Sequence, residues 1–589
     1  MSAGRIVGQT EKDRERSNNS AAGLMSAGRI VGPLAILLGL AGCAGTGGPP
    51  VAEPVAGPVS VRILALNDFH GYLEAPERAA RFYDGGEEVE AQLGGVAQMG
   101  GLLESLRAEN ANNITVAAGD LIGGSPLLSS YFLDEPAIAS LSQIGLDLAS
   151  VGNHEFDRGT DELRRMQDGG CEQYSVRTPC AIEPFAGADF QYLAANVVDD
   201  DGATLFPGTA LRDFGAAKVG FIGMTLEDTP NLVANSATEG YRFLDEAQTA
   251  NRLAGTLVAA GADTVVLLIH QGGYVQGMNA LADCPGFTGA IIEIEEALDP
   301  AISVIVSGHT HNAYVCELDR GGASPRLLTS AGRYGGFLSV IDLTIDPASN
   351  QVTAAAARNL PVKAEGPGHP GAAAITQRYA AASAAVSERP VAAITGYDPD
   401  APNCLDNTAQ DFVADAQLYA ARRATGGEVD FAFVNNGGVR ADMSVAADGV
   451  LTYGEIFAMQ PFANYIEILE MSGAQVKQVL EQQYCAEDSG RNCYARLVPS
   501  ANVAIRVDSS RPFFNRIVAV DLDGEPLQAD RLYRVAVNNF LAGGGDGFSV
   551  FVDVPRLGSA GVDTDAVEAY VANNAVSVPR CGRVLDIAS

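Results

Sequence analysis

Short apolar runs alternate with helix-like stretches throughout the first half of the chain. The apolar runs are rich in β-branched residues and have the length and composition of buried strands. This alternation predicts an α/β fold. The predicted strands are Val61–Leu66, Ile114–Ala118, Leu146–Val151, Val219–Met224, Thr264–Ile269 and Ile302–Val306.

Most of these predicted strands end directly in a cluster of polar residues. In open α/β sheets, ligands bind outside the carboxyl ends of the strands. We therefore expect five separate strand ends to deliver polar side chains to one rim of the fold. The clusters are Asn67-Asp68-Phe69-His70, Gly119-Asp120, Gly152-Asn153-His154-Glu155, His270-Gln271 and Ser307-Gly308-His309-Thr310-His311.

The second half of the chain begins after a change in composition. Residues 363–372 are rich in Gly and Pro, and the alanine-rich stretch Ala372–Glu388 has helical character and ends before a proline. We interpret residues 363–393 as a connector with a linker helix between a domain at 59–362 and a second α/β unit at 394–589. The strand candidates of the second unit include Phe431–Val434, Tyr465–Leu469 and Tyr533–Val537.

The N-terminus has the pattern of an export signal. Arg29 precedes an apolar run that is too short to span a bilayer, and the run ends in Leu40-Ala41-Gly42-Cys43, which resembles the lipobox of bacterial lipoproteins. The alternative is an ordinary cleaved signal peptide with a chance cysteine. MSAGRIVG occurs at residues 1–8 and again at 25–32, so Met25 is an alternative start.

These features predict a signal peptide at residues 1–42 and a flexible tether at 43–58. We expect an exported outer-membrane lipoprotein that faces the periplasm or the cell surface, or otherwise a soluble periplasmic protein. A lipid anchor at Cys43 would be its only contact with the membrane.

Eight further cysteines suggest disulfides, because their number is even and the chain is predicted to be exported. The alternative is free buried thiols. Three pairs are nearest neighbours in sequence and the fourth follows by elimination. The predicted pairs are Cys171 with Cys180, Cys284 with Cys316, Cys485 with Cys493, and Cys404 with Cys581.

Length and charge narrow the classes of function. The chain has 589 residues, which favours two large domains, and its 47% hydrophobic and 19% charged residues are typical of a globular protein. A net charge of −34 excludes binding of a nucleic-acid polymer through a basic surface. A phosphate-containing substrate would need local positive charge from metal ions or a few arginines.

The placement of the histidines indicates a metal centre. The chain contains six histidines, and five of them lie in the clusters that follow the predicted strands. Asp68 and His70 are two residues apart, so both would point the same way on an extended strand end, and His309 and His311 repeat this spacing. Mixed imidazole and carboxylate ligands suit zinc, manganese or iron rather than calcium.

Three other residues fit the same centre. Asp120 supplies a carboxylate that can bridge two cations, and Asn153 adds a neutral oxygen. His154 and Asp157 are three residues apart and would share a face of a starting helix. The carboxylate would then orient the imidazole and keep it protonated for a leaving-group oxygen.

Together these motifs resemble the calcineurin-like metallophosphatases. GNHEFD at residues 152–157 and the second domain look like the 5′-nucleotidase branch, which includes UDP-sugar hydrolases. The resemblance covers roughly residues 60–585. It implies a four-layer αββα metallophosphatase domain followed by a smaller α/β nucleotidase domain.

The resemblance also implies two divalent cations and the residues that hold them. Asp68, His70 and His311 would hold one cation. Asn153, His270 and His309 would hold the other, and Asp120 would bridge. Phosphate esters would be hydrolysed by in-line attack of a metal-held hydroxide, with His154 and its partner Asp157 stabilising the transition state or the leaving oxygen.

In the second domain, three loops resemble the substrate-binding motifs of this family. By position, Phe462 and Phe540 would sandwich a base and Asp546 would hold the ribose hydroxyls. Arg440 would bind phosphate, and Asn464 would contact the base edge. The chain departs from many relatives in having no arginine in the stretch Cys404–Asp411, so one phosphate contact is missing.

The leading hypothesis is a 5′-nucleotidase-type phosphohydrolase whose partner is a small nucleotide or phosphate ester. Enzymatic alternatives on the same scaffold are a nucleotide-sugar or cyclic-nucleotide phosphodiesterase and a hydrolase of the sulfur-oxidation type. The non-enzymatic alternative is a lipoprotein that binds a metal or a ligand. The His154–Asp157 pair argues against this last alternative, because a binding protein needs no general acid.

Overall fold

The computed structural model of the chain describes residues 57–76, 78–174, 177–233, 237–322, 324–394, 408–443, 449–462, 464–484, 495–574 and 582–588. The predicted signal peptide, the anchor at Cys43 and the repeated MSAGRIVG segment lie outside these residues. So do the four cysteines of the two predicted C-terminal disulfides, Cys404, Cys485, Cys493 and Cys581, and residues 404–407 of the stretch that lacks the expected arginine.

Seventeen strands are described between residues 57 and 361. In chain order they are β1 (Val59–Leu66), β2 (Ala80–Asp84), β3 (Glu87–Ala91), β4 (Asn113–Ala118), β5 (Leu148–Ser150), β6 (Gln191–Leu193), β7 (Val197–Val198), β8 (Thr209–Asp213), β9 (Lys218–Met224), β10 (Arg242–Phe243), β11 (Thr264–Ile269), β12 (Asn279–Ala280), β13 (Ile302–Ser307), β14 (Ala313–Leu318), β15 (Arg326–Ala331), β16 (Phe337–Asp346) and β17 (Gln351–Pro361). All six strands predicted in this half are confirmed, each within two residues at either end.

Thirteen α-helices are described in the chain. They are α1 (Val96–Glu109), α2 (Leu127–Ser130), α3 (Glu135–Gln143), α4 (Thr160–Asp168), α5 (Thr229–Leu232), α6 (Glu246–Ala259), α7 (Ile291–Ala297), α8 (Pro370–Ser387), α9 (Thr408–Thr425), α10 (Tyr453–Met459), α11 (Gly473–Gln482), α12 (Asn539–Ala542) and α13 (Asp563–Asn573). Helix α8 is the helix predicted in the connector. Within the described residues, no helix combines the length and the apolar character needed to cross a membrane.

Two six-stranded sheets form the centre of the first half. The strand order is β17-β16-β1-β4-β5-β6 in the first sheet and β14-β15-β13-β11-β9-β8 in the second. Strands β1, β4, β5 and β6 are parallel to one another, as are β9, β11, β13 and β15. Parallel strands direct their carboxyl ends to one edge, which is where the polar clusters follow them.

Successive side chains of each central strand pack in different cores, and this alternation produces four layers. In β1, Val61 and Ile63 face a core between the sheets, whereas Leu64 packs in another core with helices α1, α3 and α4. In β11, Val266 faces the core between the sheets and Leu267 packs against α6 and α7. Side chains of a strand alternate between its two faces, so both sheets are covered on both sides and the order is helix, sheet, sheet, helix. The predicted four-layer architecture is confirmed.

The second half contains eleven described strands. They are β18 (Pro390–Ala393), β19 (Phe431–Asn435), β20 (Val450–Thr452), β21 (Tyr465–Ser472), β22 (Leu497–Pro499), β23 (Val503–Val507), β24 (Ile517–Leu522), β25 (Glu525–Pro526), β26 (Leu532–Asn538), β27 (Arg556–Val562) and β28 (Val584–Asp586). A five-stranded sheet has the order β22-β19-β26-β21-β27, and a four-stranded sheet has the order β25-β24-β23-β28. The three strands predicted in this half are confirmed as β19, β21 and β26.

Alternation also builds the core of this second α/β unit. Phe431 and Phe433 of β19 pack in a core with α11 and strands β23 and β24. Ala432 and Val434 point to the other face, where helices α9 and α13 supply the partners. The larger sheet is therefore covered on both faces.

The two N-terminal disulfides form as predicted. Cys171 and Cys180 are joined with a Cα–Cα distance of 5.5 Å, and Cys284 and Cys316 with one of 5.3 Å. The first disulfide closes a loop that follows α4. The second ties strand β14 to the segment that follows β12.

Candidate active site

The predicted metal ligands converge in two groups that share Asp120. In the first group, Asp68 Oδ1 lies 3.4 Å from His311 Nε2 and 3.9 Å from His70 Nε2. In the second group, Asn153 Oδ1 lies 3.1 Å from His270 Nε2 and 3.1 Å from His309 Nδ1.

Asp120 Oδ2 lies between the two groups. It is 3.7 Å from His70 Nε2 and 3.0 Å from His270 Nε2. The ligand atoms of Asp68, His70 and His311 all lie within 4.8 Å of one another, as do those of Asp120, His270 and His309. A carboxylate between two sets of imidazole and carboxylate donors is the arrangement that a pair of divalent cations requires.

Backbone carbonyls fix the orientation of two of these imidazoles. His70 Nδ1 lies 2.8 Å from the carbonyl oxygen of Gly123, and His270 Nδ1 lies 2.8 Å from that of Ala118. In each ring the opposite nitrogen, Nε2, faces the shared carboxylate Asp120. Such bonds select the tautomer and hold Nε2, the candidate ligating nitrogen, in place.

The backbone at the ligands differs from the predicted extended strand ends. Asp68, His70, Asp120, His309 and His311 all have positive φ, between 48° and 71°. The extended geometry inferred from the two-residue spacing is therefore wrong, although the side chains do converge. The strands end just before these residues, and the chain turns sharply through the left-handed region, where non-glycine residues are strained.

Glu155 joins two of the ligand-bearing strand ends. Its buried carboxylate accepts hydrogen bonds from the backbone N–H groups of Asp120 at 2.9 Å, Leu121 at 2.7 Å and Gly152 at 2.7 Å. The turn after β4 and the turn after β5 are thereby fixed to one another. Gly152 is required at this junction, because a Cβ atom there would lie 2.3 Å from Asp120 Oδ1.

His154 is held by Asp157 as predicted. His154 Nδ1 lies 2.9 Å and 3.1 Å from the two oxygens of Asp157, within a 3₁₀ turn at His154–Phe156 rather than an α-helix. Its backbone N–H also donates to Asp120 Oδ1 at 2.8 Å. Burial lowers the pKa of His154, but Asp157 and Asp120 outweigh burial and raise the pKa above its ordinary value, which favours the protonated ring.

A cleft of about 610 Å³ connects the metal-ligand groups to the second domain. Asn153, His154 and His309 line it. All five predicted substrate residues line the same cleft, namely Arg440, Phe462, Asn464, Phe540 and Asp546. The remaining predicted metal ligands are not among the residues that line it.

Phe462 and Arg440 come nearest to the metal-ligand groups. The Phe462 ring is parallel to the His154 ring within 9°, with centroids 5.6 Å apart, and the Arg440 guanidinium lies 5.7 Å from the Phe462 centroid. A Cβ atom at Gly124 would lie 3.4 Å from Phe462 and 3.6 Å from both Arg440 Nη2 and His70 Nδ1. The two domains therefore meet at His154.

Side-chain amides position the other substrate residues. Asn435 donates to Asp546 Oδ2 at 2.9 Å, and buried Asn538 donates to Asn435 Oδ1 at 2.9 Å. Asn464 is joined to Asp563 through its side chain and through its carbonyl, which accepts from the Asp563 N–H at 2.9 Å. Burial raises the pKa of Asp563 to about 7.

Several residues that line the cleft were not predicted from the sequence. Arg158 directly follows the GNHEFD motif, so its position was a usable signal, and it pairs with buried Asp134 at 2.7 Å. Tyr174 and Arg177 lie on the loop closed by Cys171 and Cys180, and no local motif marks them. The other unpredicted lining residues are Gly159, Leu232, Val233, Ala237, Asn435, Gly437, Gly438, Tyr465, Asn538 and Asn539.

Two protein families match the chain. Residues 61–313 match the calcineurin-like phosphoesterases, and residues 385–553 match the C-terminal domain of the 5′-nucleotidases. Cell wall protein Lmo0130 of Listeria monocytogenes is 30% identical over 548 residues, which cover 88% of this chain and 68% of that protein. A probable 5′-nucleotidase of Treponema pallidum is 23% identical, over 89% of this chain and 92% of that protein.

A solved structure agrees on the fold. The crystal structure of a 5′-nucleotidase precursor from Thermus thermophilus superposes with a TM-score of 0.69 at 23% identity, covering 90% of this chain and all of that one. The chain therefore belongs to the 5′-nucleotidase family of calcineurin-like phosphoesterases and is a metal-dependent phosphoester hydrolase. The family implies divalent metal ions, for which the two ligand groups around Asp120 are the candidate site.

Proposed function

We propose that this hydrolase removes phosphate from nucleotides by a two-metal mechanism. The observation that supports the proposal is the cleft, which is lined both by His154 and His309 and by Phe462, Phe540 and Asp546. A phosphate at the metal centre and a base in the second domain would then belong to one ligand. We assign the metal centre to a domain at residues 59–362 and the substrate residues to a domain at 394–589, joined by 363–393.

The donor set supports two divalent cations of zinc, manganese or iron type. We assign Asp68, His70 and His311 to one cation, and Asn153, His270 and His309 to the other. Asp120 would bridge, because its Oδ2 lies within 3.7 Å of an imidazole nitrogen from each group. When bound, such a pair of cations activates water and neutralises charge on a transferring phosphoryl group.

We assign His154 to the leaving-group side of the reaction. Its Nδ1 is fixed by Asp157, so its Nε2 is the nitrogen that remains for the cleft. A protonated imidazole there would donate a proton to the ester oxygen as the phosphorus–oxygen bond breaks. The raised pKa of His154 supports this role.

The second domain would bind the nucleoside and the phosphate. A base has two apolar faces, so Phe462 and Phe540 would each stack on one, contributing about 1–3 kcal/mol per ring. Asp546 would accept from the ribose hydroxyls, and Asn464 would contact the base edge. Arg440 offers a planar fork for a phosphate group next to His70 and His154.

The decisive experiment compares AMP with p-nitrophenyl phosphate, an ester without a base. We expect wild type to prefer AMP in kcat/KM, and Phe462→Ala/Phe540→Ala to lose this preference by reacting more slowly with AMP. Equal losses on both substrates, or no preference in wild type, would show that the cleft serves a more general phosphoesterase.

We further propose that the chain is exported and anchored through lipidated Cys43. The two disulfides support export, because such bonds persist in oxidising compartments. The relative named a cell wall protein supports it as well. In a bacterial host, Cys43→Ala should move the protein from the membrane fraction to the soluble fraction. Unchanged membrane association of the variant would contradict the anchor.

A further inference from the structure

His311 differs from His70 and His270 in the neighbour of its outer ring nitrogen. In His70 and His270 this nitrogen faces a backbone carbonyl at 2.8 Å. In His311, Nε2 points inward and lies 3.4 Å from Asp68 Oδ1. Its Nδ1 points outward and lies 3.4 Å from Nη1 of Arg333.

This pairing places two hydrogen-bond donors side by side once His311 ligates a cation. An imidazole that binds metal through Nε2 carries its proton on Nδ1, and that N–H normally donates to a carboxylate, a carbonyl or water. A guanidinium has five N–H donors and no acceptor. The pair of Arg333 and His311 therefore lacks an acceptor, and one oxyanion between them would accept from both.

Arg333 is held in this position by aromatic rings. Its guanidinium lies 4.7 Å from the Tyr334 centroid, and Tyr334 stacks on Tyr72 with centroids 3.9 Å apart. The Tyr334 backbone N–H donates to the carbonyl of Asp68 at 2.7 Å, at a φ of 59°. Arg333 is thus fixed to the metal-ligand turn through its neighbour, while its own side chain is exposed.

No carboxylate among the described residues neutralises the charge of Arg333. Among the residues that the structure describes, neither Arg333 nor Arg440 forms an ion pair with a carboxylate. Arg333 in the first domain and Arg440 in the second thus bring positive charge to the same metal-ligand group. The net charge of the whole chain is −34. An anion that binds there would meet both a positive charge and a free N–H group.

We propose that Arg333 and the Nδ1–H of His311 form an oxyanion site that binds phosphate oxygens of the substrate. The inference rests on the proposed function, because it requires His311 to ligate a cation through Nε2. Arg333 then acts from the first domain on the same anionic group that Arg440 contacts from the second. The ligand class is a phosphate dianion or an equivalent tetrahedral oxyanion.

The test measures binding of inorganic phosphate to manganese-loaded protein by titration calorimetry. We expect Arg333→Gln to raise the Kd of phosphate about 10- to 100-fold, which corresponds to the loss of one or two charge-assisted hydrogen bonds. Arg333→Lys keeps the charge but not the planar fork, so its Kd for phosphate should lie between those of wild type and Arg333→Gln. Arg252→Gln removes the same charge from exposed Arg252 on α6 and serves as the control.

Metal content, measured on the same samples, distinguishes anion binding from support of the ligand. Two cations per chain in every variant, together with weaker phosphate binding in Arg333→Gln alone, would support the site. An unchanged Kd, or the loss of a cation in Arg333→Gln, would overturn it. If Arg333→Gln weakens phosphate binding but wild type hydrolyses no phosphate ester, the oxyanion site stands and the proposed nucleotidase function fails.

Discussion

The two ends of the cleft are built by different kinds of contact. At the metal end, the candidate ligands His70 and His270 are fixed by backbone carbonyls, and the Glu155 carboxylate accepts from three backbone N–H groups. At the substrate end, Asp546 is held by the side chain of Asn435, and Asn464 is held by the side chain and the backbone of Asp563. A substitution at one of these partners should therefore change substrate binding without moving the candidate metal ligands.

The strongest test of this comparison removes the ligand shared by both groups. Asp120→Ala takes away the oxygen that lies 3.0 Å from His270 Nε2 and 3.7 Å from His70 Nε2. We expect phosphate release to fall to background and metal content to drop below two per chain, because the carboxylate between the two ligand groups is lost. Mass-spectrometric metal analysis and a phosphate assay measure both. Two bound cations in the variant would contradict the bridging role.

His154 directly follows the proposed metal ligand Asn153, but we expect it to be needed for the reaction and not for metal binding. We expect His154→Ala to slow turnover by about 10²–10⁴-fold, the usual contribution of a general acid, with both cations retained. Asp157→Asn keeps the imidazole and removes its anchor, so its loss should be smaller. Loss of cations in His154→Ala would show that His154 supports metal binding, and would contradict its proposed role as a general acid.

At the substrate end, Asn435→Ala should affect nucleotides alone. The change removes the donor 2.9 Å from Asp546 Oδ2 and frees that carboxylate to turn away from the ribose. We expect kcat/KM for AMP to fall about tenfold, which corresponds to one hydrogen bond to a charged group. The value for p-nitrophenyl phosphate, which has no ribose, serves as the internal control. A matching fall on that ester would mean that the whole domain has shifted.

The smallest expected effect is a change in the pH dependence of stability at Asp563. Burial raises the pKa of this carboxyl from 3.8 to about 7, so between these values the folded protein keeps a proton that the unfolded chain releases. Stability therefore falls as pH rises through this window and is constant above it. Asp563→Asn removes the fall, so its Tm relative to wild type should be about 2 °C or more higher at pH 8 than at pH 5. An identical difference at both pH values would contradict the raised pKa.

The sequence predicted the strands and residues of the candidate metal site in more detail than the strands that surround them. Periodicity located β1, β4, β9, β11 and β13, because parallel buried strands are continuous apolar runs. Strands β14 to β17 were not among the predicted strands, although they complete both large sheets. The positive φ at the candidate ligands was not predicted, because the residue spacing alone does not distinguish an extended strand end from a turn.

Residues that act through distant contacts were the hardest to predict. Arg333 lies 22 positions from His311 in the chain, and only the packing of β14 beside β15 brings the two near each other. The bond between Asn435 and Asp546 likewise joins residues 111 positions apart. Motifs identify residues that touch a ligand, whereas their supporting partners depend on tertiary structure.

The disulfide between Cys171 and Cys180 closes a loop that lines the cleft. The position of this loop therefore depends on whether the protein is produced under oxidising or reducing conditions. Arg177 on this loop lies 5.0 Å from the Tyr131 ring and 5.2 Å from the Phe457 ring of the second domain. Chain made in a reducing cytoplasm, or assayed with a thiol reagent, lacks the covalent closure that carries Arg177 to that contact. Purification history thus becomes an experimental variable, and substrate profiles should be compared between preparations only after free thiols have been counted.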